Sequence, residues 1–115
     1  MKITNASREL TNAEKYFLTK AADIKGFKDA AGSTLDVDVW CEYTDTVKDG
    51  DTEKEMNFLS VRTPEGETYV TNSKTAIDNF HDITEIFNPE EIKKLKIEQG
   101  TSKVGRHFIM VSYAE

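Results

Sequence analysis

The clearest strand pattern in the sequence runs from residue 35 to residue 44 and reads Leu35-Asp36-Val37-Asp38-Val39-Trp40-Cys41-Glu42-Tyr43-Thr44. Its odd-numbered side chains are apolar and its even-numbered side chains are polar, except at Trp40. An alternation with a period of two predicts a strand that buries one of its faces. We therefore expect the odd side chains to face a core and Trp40 to point outward, between Asp38 and Glu42.

The residues after this strand predict four more strands and one helix. Asp49-Gly50 is a good turn pair within a charged hairpin loop at residues 45–54. The helix begins at Asn72 or Ser73 and is stopped by Pro89. Its apolar stripe consists of Ala76, Ile77, Phe80, Ile83, Ile86 and Phe87. The further strands are predicted at residues 55–63, 67–71, 94–98 and 106–113, with a flexible loop at residues 99–105.

The predicted fold is mainly β, of the α+β class, with the element order β-β-β-α-β-β. This is the order of the OB-fold, a five-stranded, partly open barrel. Thr11-Asn12-Ala13-Glu14 matches a capping box and predicts a short helix after it. We expect residues 1–34 to form a helical N-terminal extension and residues 35–115 to form an OB-like domain.

Composition favours one soluble, cytosolic domain. The chain has 115 residues and one cysteine, Cys41, so it has no internal disulfide. No signal peptide follows Met1, and no apolar run reaches the roughly 18 residues that span a membrane. The net charge of −6 argues against a nucleic-acid binder, but the acid is concentrated in residues 35–88, with 4 basic and 13 acidic side chains. Residues 1–34 and 89–115 are mildly basic, at +2 and +1.

Strand alternation predicts an outward face that carries rings and positive charges. Trp40, Phe58 and Phe108 would share this face, flanked by Arg62 and Arg106. Single-stranded nucleic acids bind to such faces because bases stack on aromatic rings while cations follow the phosphates. The alternative is that Phe58 and Phe108 are core residues.

The loop from Gly100 to Arg106 is a second candidate contact. Its small residues allow backbone N–H groups to approach a phosphate, and its basic side chains supply charge. The order of residues is not that of a P-loop. The candidate side chains are Thr101, Ser102, Lys103 and Arg106.

An enzyme is not expected. His81, His107 and Cys41 do not have a zinc-binding spacing, and a thiol on the core face of a strand is usually inert. The sequence predicts no catalytic residue, no metal and no cofactor.

Three segments resemble small single-stranded-DNA-binding proteins of tailed bacteriophages, including phages that start replication with a protein primer. They are Tyr69-Val70-Thr71-Asn72-Ser73, the helix with Phe80 and Ile83, and the ending Ile97-Glu98-Gln99-Gly100-Thr101-Ser102-Lys103-Val104-Gly105-Arg106-His107-Phe108. The resemblance covers about residues 35–113.

This resemblance implies an OB-like barrel that coats the displaced strand during phage replication, in the cytoplasm of the infected bacterial cell. Its partners would be single-stranded DNA and replication proteins, without a membrane, and the chain would be a monomer or a weak homo-oligomer. The main rival is an acidic phage-encoded inhibitor or DNA mimic that binds a host or CRISPR protein, which the acidic central segment favours. A third hypothesis is that the chain is a structural or assembly protein of the virion.

Overall fold

The computed structural model describes all residues from Met1 to Glu115, and it is mainly β, with two sheets and two helices. The strands are β1 Lys2–Ala6, β2 Lys25–Gly26, β3 Thr34–Asp36, β4 Val39–Asp49, β5 Thr52–Arg62, β6 Thr68–Thr71, β7 Lys94–Thr101 and β8 His107–Tyr113. The helices are α1 Asn12–Thr19 and α2 Lys74–Thr84, with 3₁₀ turns at Phe27–Ala30 and Pro89–Glu91. Neither helix has the length and apolar composition that crossing a membrane requires.

The strands form a larger and a smaller sheet. The larger sheet has the order β1-β4-β5-β6-β2, and the smaller has the order β3-β7-β8. All pairs are antiparallel except β2 with β6. No ladder joins β6 to β8, so the sheets do not close into a barrel.

The segment predicted as one strand at residues 35–44 is divided between the two sheets. The Val37 N–H donates to the carbonyl of Lys93 at 2.7 Å, while the Asp38 N–H donates to the carbonyl of Arg62 at 2.9 Å. The chain therefore passes from the smaller sheet to the larger one at these two residues. Such a break changes which side chains of the alternating pattern face a given core.

Trp40 is the residue on which this change has the largest effect. It is 0% exposed and belongs to the main core. Its indole Nε1–H donates to the carbonyl of Pro89 at 3.0 Å, and its ring packs edge-on against Phe80 of α2, with centroids 4.7 Å apart. The prediction that Trp40 points outward is wrong, because α2 covers the face of β4 that carries the even-numbered residues.

The opposite face of β4, with the odd-numbered residues, is also buried. Val39, Cys41 and Tyr43 form a second cluster with Leu18 of α1. The Ser60 hydroxyl on β5 donates to the Leu18 carbonyl at 2.7 Å, which fixes α1 to the sheet. Residues 1–34 thus contribute two strands, β1 and β2, to the larger sheet and the helix α1 that packs on it, while Phe27 and Ala30 join the main core.

The predicted hairpin with a turn at Asp49-Gly50 is confirmed, but the prediction that residues 45–54 form its loop is wrong, because most of these residues are paired. The β4–β5 ladder continues to Asp49 opposite Thr52, and Gly50 supplies the positive φ of +65° in the turn. We call residues 46–55 the acidic ribbon, since they are exposed and carry Asp49, Asp51, Glu53 and Glu55. Charged residues remain extended here because each strand satisfies the backbone of the other.

Helix α2 largely follows its predicted pattern. The Ser73 hydroxyl accepts a hydrogen bond from the Ala76 N–H at 3.3 Å, and Ala76, Ile77, Phe80 and Ile83 are buried. The helix ends at Thr84, so Ile86 falls outside it and is 80% exposed, contrary to the predicted stripe. Phe87 instead stacks on Tyr113, with centroids 4.0 Å apart.

Candidate functional site

A groove of about 500 Å³ lies where β5 and β6 approach the start of β8. Phe58 and Phe108 line it from these two sides, and Lys28 and His107 are its basic groups. A second hollow of about 310 Å³ continues from it past Phe108 and adds Gln99. We call the two together the aromatic groove. Its other lining residues are Gly26, Phe27, Val70, Thr71, Asn72, Ser73 and Ile109.

The ring of Phe58 is held in place by stacking on a residue of the neighbouring strand. Its ring lies nearly parallel to that of Tyr43, its partner on β4, with centroids 5.1 Å apart and planes 16° apart. Burial, with the nearby Cys41 and Asp45 groups, raises the pKa of Tyr43 to about 12. Tyr43 therefore stays neutral at physiological pH and forms an uncharged support for one side of the Phe58 ring.

Phe108 is positioned by a glycine on the neighbouring strand. Gly100 lies directly opposite Phe108 in the β7–β8 ladder. A Cβ atom at Gly100 would approach the Phe108 ring to 2.5 Å at Cζ and 2.7 Å at Cε2. Only glycine leaves room for the ring at that place, so the half-buried Phe108 lies across Gly100 as a wall of the aromatic groove.

No carboxylate lines the aromatic groove, although the chain has a net charge of −6. Lys28 and His107 line both of its parts. Neither side chain has a carboxylate within ion-pairing distance. Lys28 is therefore a positive group at the groove that no carboxylate pairs with.

The β7–β8 hairpin extends this basic surface beyond His107. The Ser102 hydroxyl accepts from the Arg106 N–H at 3.1 Å, while the Ser102 N–H donates to the Arg106 carbonyl at 2.8 Å. Gly105 has a φ of +81°, as the turn requires. Lys103 and Arg106 are exposed and make no ion pair, and Thr101 Oγ1 lies 3.4 Å from His107 Nδ1.

The structure brings some of the predicted site residues together and separates others. Phe58 and Phe108 meet in the aromatic groove, and Thr101, Ser102, Lys103 and Arg106 lie in the hairpin beside it. Neither ring is a fully buried core residue, because both are partly exposed. Trp40 is in the main core, and the Arg62 guanidinium lies over Phe17 of α1 instead.

The sequence did not predict two residues of the aromatic groove, Lys28 and His107, and the reason differs for each. Lys28 lies in a 3₁₀ turn within a stretch that has no period, so no pattern places it near β8. His107 was considered only as a metal ligand or catalytic group. Its position beside Arg106 and Phe108 on the fifth predicted strand was the signal that could have placed it in the site.

Two other groups with potential chemistry, Glu42 and Cys41, are buried within the fold. Glu42 on β4 is buried and its Oε1 pairs with Nε2 of His81 on α2, which ties the helix to the sheet. Cys41 is fully buried, and burial, together with the neighbouring Glu42, raises the pKa of its thiol to about 12. Few thiols of this kind are ionised at neutral pH, so Cys41 is a poor nucleophile.

Two aromatic rings beside the Lys28 ammonium and the His107 imidazole, with no carboxylate among the lining residues, define what the groove can do chemically. It can hold flat, uncharged rings against Phe58 and Phe108 while negatively charged groups lie near Lys28, His107 and the hairpin.

Comparisons with protein-family models, with curated proteins and with solved structures found no match to this chain.

Proposed function

We propose that this protein binds single-stranded DNA in the aromatic groove, without sequence preference and without catalysing a reaction. The observation that carries the proposal is that Phe58 and Phe108 line one groove with Lys28 and His107 and with no carboxylate, in an otherwise acidic chain. Bases stack on aromatic side chains at roughly 1–3 kcal/mol per base, and cations follow the backbone. This combination suits a flexible strand with unpaired bases.

The strand arrangement supports an OB-like fold for this function. One run of chain, β3 and β4, pairs with β7 in the smaller sheet and with β5 in the larger. The order that follows is β-β-α-β-β, and the aromatic groove lies at the open seam between β6 and β8. Together with the resemblance of residues 35–113 to phage proteins, this favours coating of a displaced strand during phage replication in an infected bacterial cell, as a monomer or weak homo-oligomer.

The proposal is tested by the salt dependence of binding to fluorescein-labelled oligo-dT, followed by anisotropy. Affinity is expected to fall as salt rises, because cations at the site displace counterions from the strand. Replacing Lys28, Lys103 and Arg106 together by alanine should weaken binding and reduce the slope of log K against log salt by about 2, at roughly 0.7 per lost phosphate contact.

The matched control removes the same number of charges elsewhere. Lys48→Ala, Lys74→Ala and Lys93→Ala change exposed lysines that do not line the aromatic groove. This triple variant should keep the slope of the wild-type protein. Equal slopes for the two triple variants would contradict binding at the groove.

An acidic inhibitor is the second candidate, and the acidic ribbon favours it. Its four carboxylates extend on a two-stranded arm with no other element packed on it at Asp49, Asp51 or Glu53. Converting these three residues to the neutral amides Asn, Asn and Gln distinguishes the two functions. DNA binding predicts unchanged or slightly tighter oligo-dT binding because repulsion is reduced. An inhibitor predicts no oligo-dT binding by either protein, and binding of a basic protein partner that the amide variant loses.

A further inference from the structure

Helix α1 presents two aromatic rings to solvent next to an arginine. Tyr16 is 54% exposed and Phe17 is 40% exposed, whereas Leu18 is the residue of this helix that is buried against the sheet. The two rings pack edge to face, with centroids 5.5 Å apart. We call Tyr16, Phe17 and Arg62 the α1 patch.

Arg62 gives the α1 patch a positive charge. Its guanidinium carbon lies 4.1 Å from the centroid of the Phe17 ring, in a cation–π contact. It makes no ion pair, although Glu14 is near enough for Arg62 to help lower the pKa of that carboxyl. The main causes of that lowered pKa are the Thr11 backbone hydrogen bond and Arg8. A guanidinium on a ring, without a bound carboxylate, can still receive a phosphate.

The α1 patch and the aromatic groove lie on the same face of the larger sheet. Arg62 and Phe58 belong to β5 and are four residues apart, so their side chains point to the same side. Four residues of strand span about 13 Å, which is within the reach of a few nucleotides. Helix α1 packs on β5 and β6, the two strands that bring Phe58, Val70 and Thr71 to the groove.

We infer that the α1 patch is a second stacking surface, which binds further bases of the single strand held in the aromatic groove. This inference rests on the proposed function, since it assigns a longer path to the same ligand. Helix α1 covers β5 between Phe58 and Arg62, at Ser60, so a strand that leaves the groove would pass over the exposed side of α1. There it would meet Arg62 with its phosphates, and Tyr16 and Phe17 with its bases. Single OB-like domains bind about 4–16 nucleotides, so one groove with one patch fits within the known range.

The test uses the length of the DNA. Labelled oligo-dT of about 4 nucleotides fills the aromatic groove alone, whereas oligo-dT of about 16 nucleotides reaches both surfaces. The variant Tyr16→Leu with Phe17→Leu removes both rings and keeps good helix formers. It should weaken binding of the long oligonucleotide about tenfold and leave the short one unchanged. Arg62→Gln, which leaves α1 intact, should show the same length dependence with a smaller loss.

Two controls separate the inference from the proposed function. Phe108→Ala should weaken both lengths, and Ile86→Ala, at an exposed apolar residue outside both surfaces, should weaken neither. The inference is wrong if Phe108→Ala lowers the affinity for both oligonucleotides while the α1 and Arg62 variants bind both like wild type. In that case the α1 patch does not bind DNA, and the proposal that the aromatic groove does is unaffected. Equal losses for both lengths in the α1 variant would also overturn it, because the change would then act through the fold. Wild-type protein that binds neither length would overturn the proposed function together with the inference.

Discussion

The two faces of the larger sheet are both buried along the first half of β4, yet they have different roles. One face carries Trp40, packs against α2 and belongs to the main core. The other carries Cys41 and Tyr43, is covered by α1, and continues past Phe58 into the aromatic groove. An aromatic residue on a strand is therefore accessible to a ligand only where no other element covers it. Alternation along the strand does not show which of its aromatic residues are covered.

The largest effect is expected when the ring is removed from the core face. Trp40→Ala deletes a fully buried side chain and leaves the Pro89 carbonyl without its donor. We expect a loss of about 3–5 kcal/mol in the free energy of unfolding, measured by urea denaturation. Val104→Ala, at an 80% exposed residue, should change it by less than about 0.5 kcal/mol. A loss below about 1 kcal/mol for Trp40→Ala would mean that Trp40 is not a core residue.

A smaller effect is expected from Gly100→Ala, which acts on the groove face. The added methyl group would overlap the Phe108 ring, which must move away from its place across Gly100. Oligo-dT affinity should fall by about the value of one stacked base, roughly 1–3 kcal/mol. The fold should survive because the displaced ring is only half-buried.

A double-mutant cycle sharpens this prediction, since residues that act through one another are not additive. In a Phe108→Ala background, Gly100→Ala should have no further effect on affinity. The same loss in both backgrounds would show that Gly100 does not act through the ring.

The smallest effect is expected on the shielding of Cys41 by α1. Thr11 caps α1, since its hydroxyl accepts from the Glu14 N–H at 3.1 Å while Glu14 Oε1 accepts from the Thr11 N–H at 2.9 Å. Thr11→Ala should cost about 1 kcal/mol and loosen α1. Leu18 would then cover Cys41 less well, so the thiol should react faster with a disulfide reagent in native buffer. Reaction at the wild-type rate in a variant that has lost this stability would show that α1 does not protect Cys41.

Elements with a strong local pattern could be predicted from the sequence. The capping box placed α1 at Asn12, and the stripe of Ala76, Ile77, Phe80 and Ile83 placed α2 with its buried face. The alternation of Ile109, Val111 and Tyr113 gave the core side of β8, and Phe108 was correctly assigned to the other side. These patterns are local, so a single segment contains the information.

Features that depend on distant pairing could not be predicted in this way. Strand β1 is short and mostly polar, and it is extended because β4 provides its hydrogen bonds. The acidic ribbon has the composition of a loop but is held by its own ladder. The shift of Trp40 into the core follows from the break at Val37 and Asp38, which two hydrogen bonds to different sheets impose. Only tertiary contacts carry that information.

The candidate site also combines residues that local patterns predict with a residue that only tertiary contacts place. The rings at Phe58 and Phe108 and the basic hairpin with Lys103 and Arg106 could be found from strand alternation and loop composition. Lys28 could not be found, because its place beside Phe108 depends on how residues 25–30 fold back against β6 and β7.

Binding of single-stranded DNA in the aromatic groove is tested by the dissociation constant of labelled oligo-dT for wild-type protein and for Phe108→Ala, at low salt. Stacking on Phe108 predicts measurable binding by the wild type and a loss of about tenfold in the variant, with unfolding free energies that differ much less than for Trp40→Ala. Equal dissociation constants for the two folded proteins, or the absence of binding by the wild type, would show that the groove does not bind single-stranded DNA.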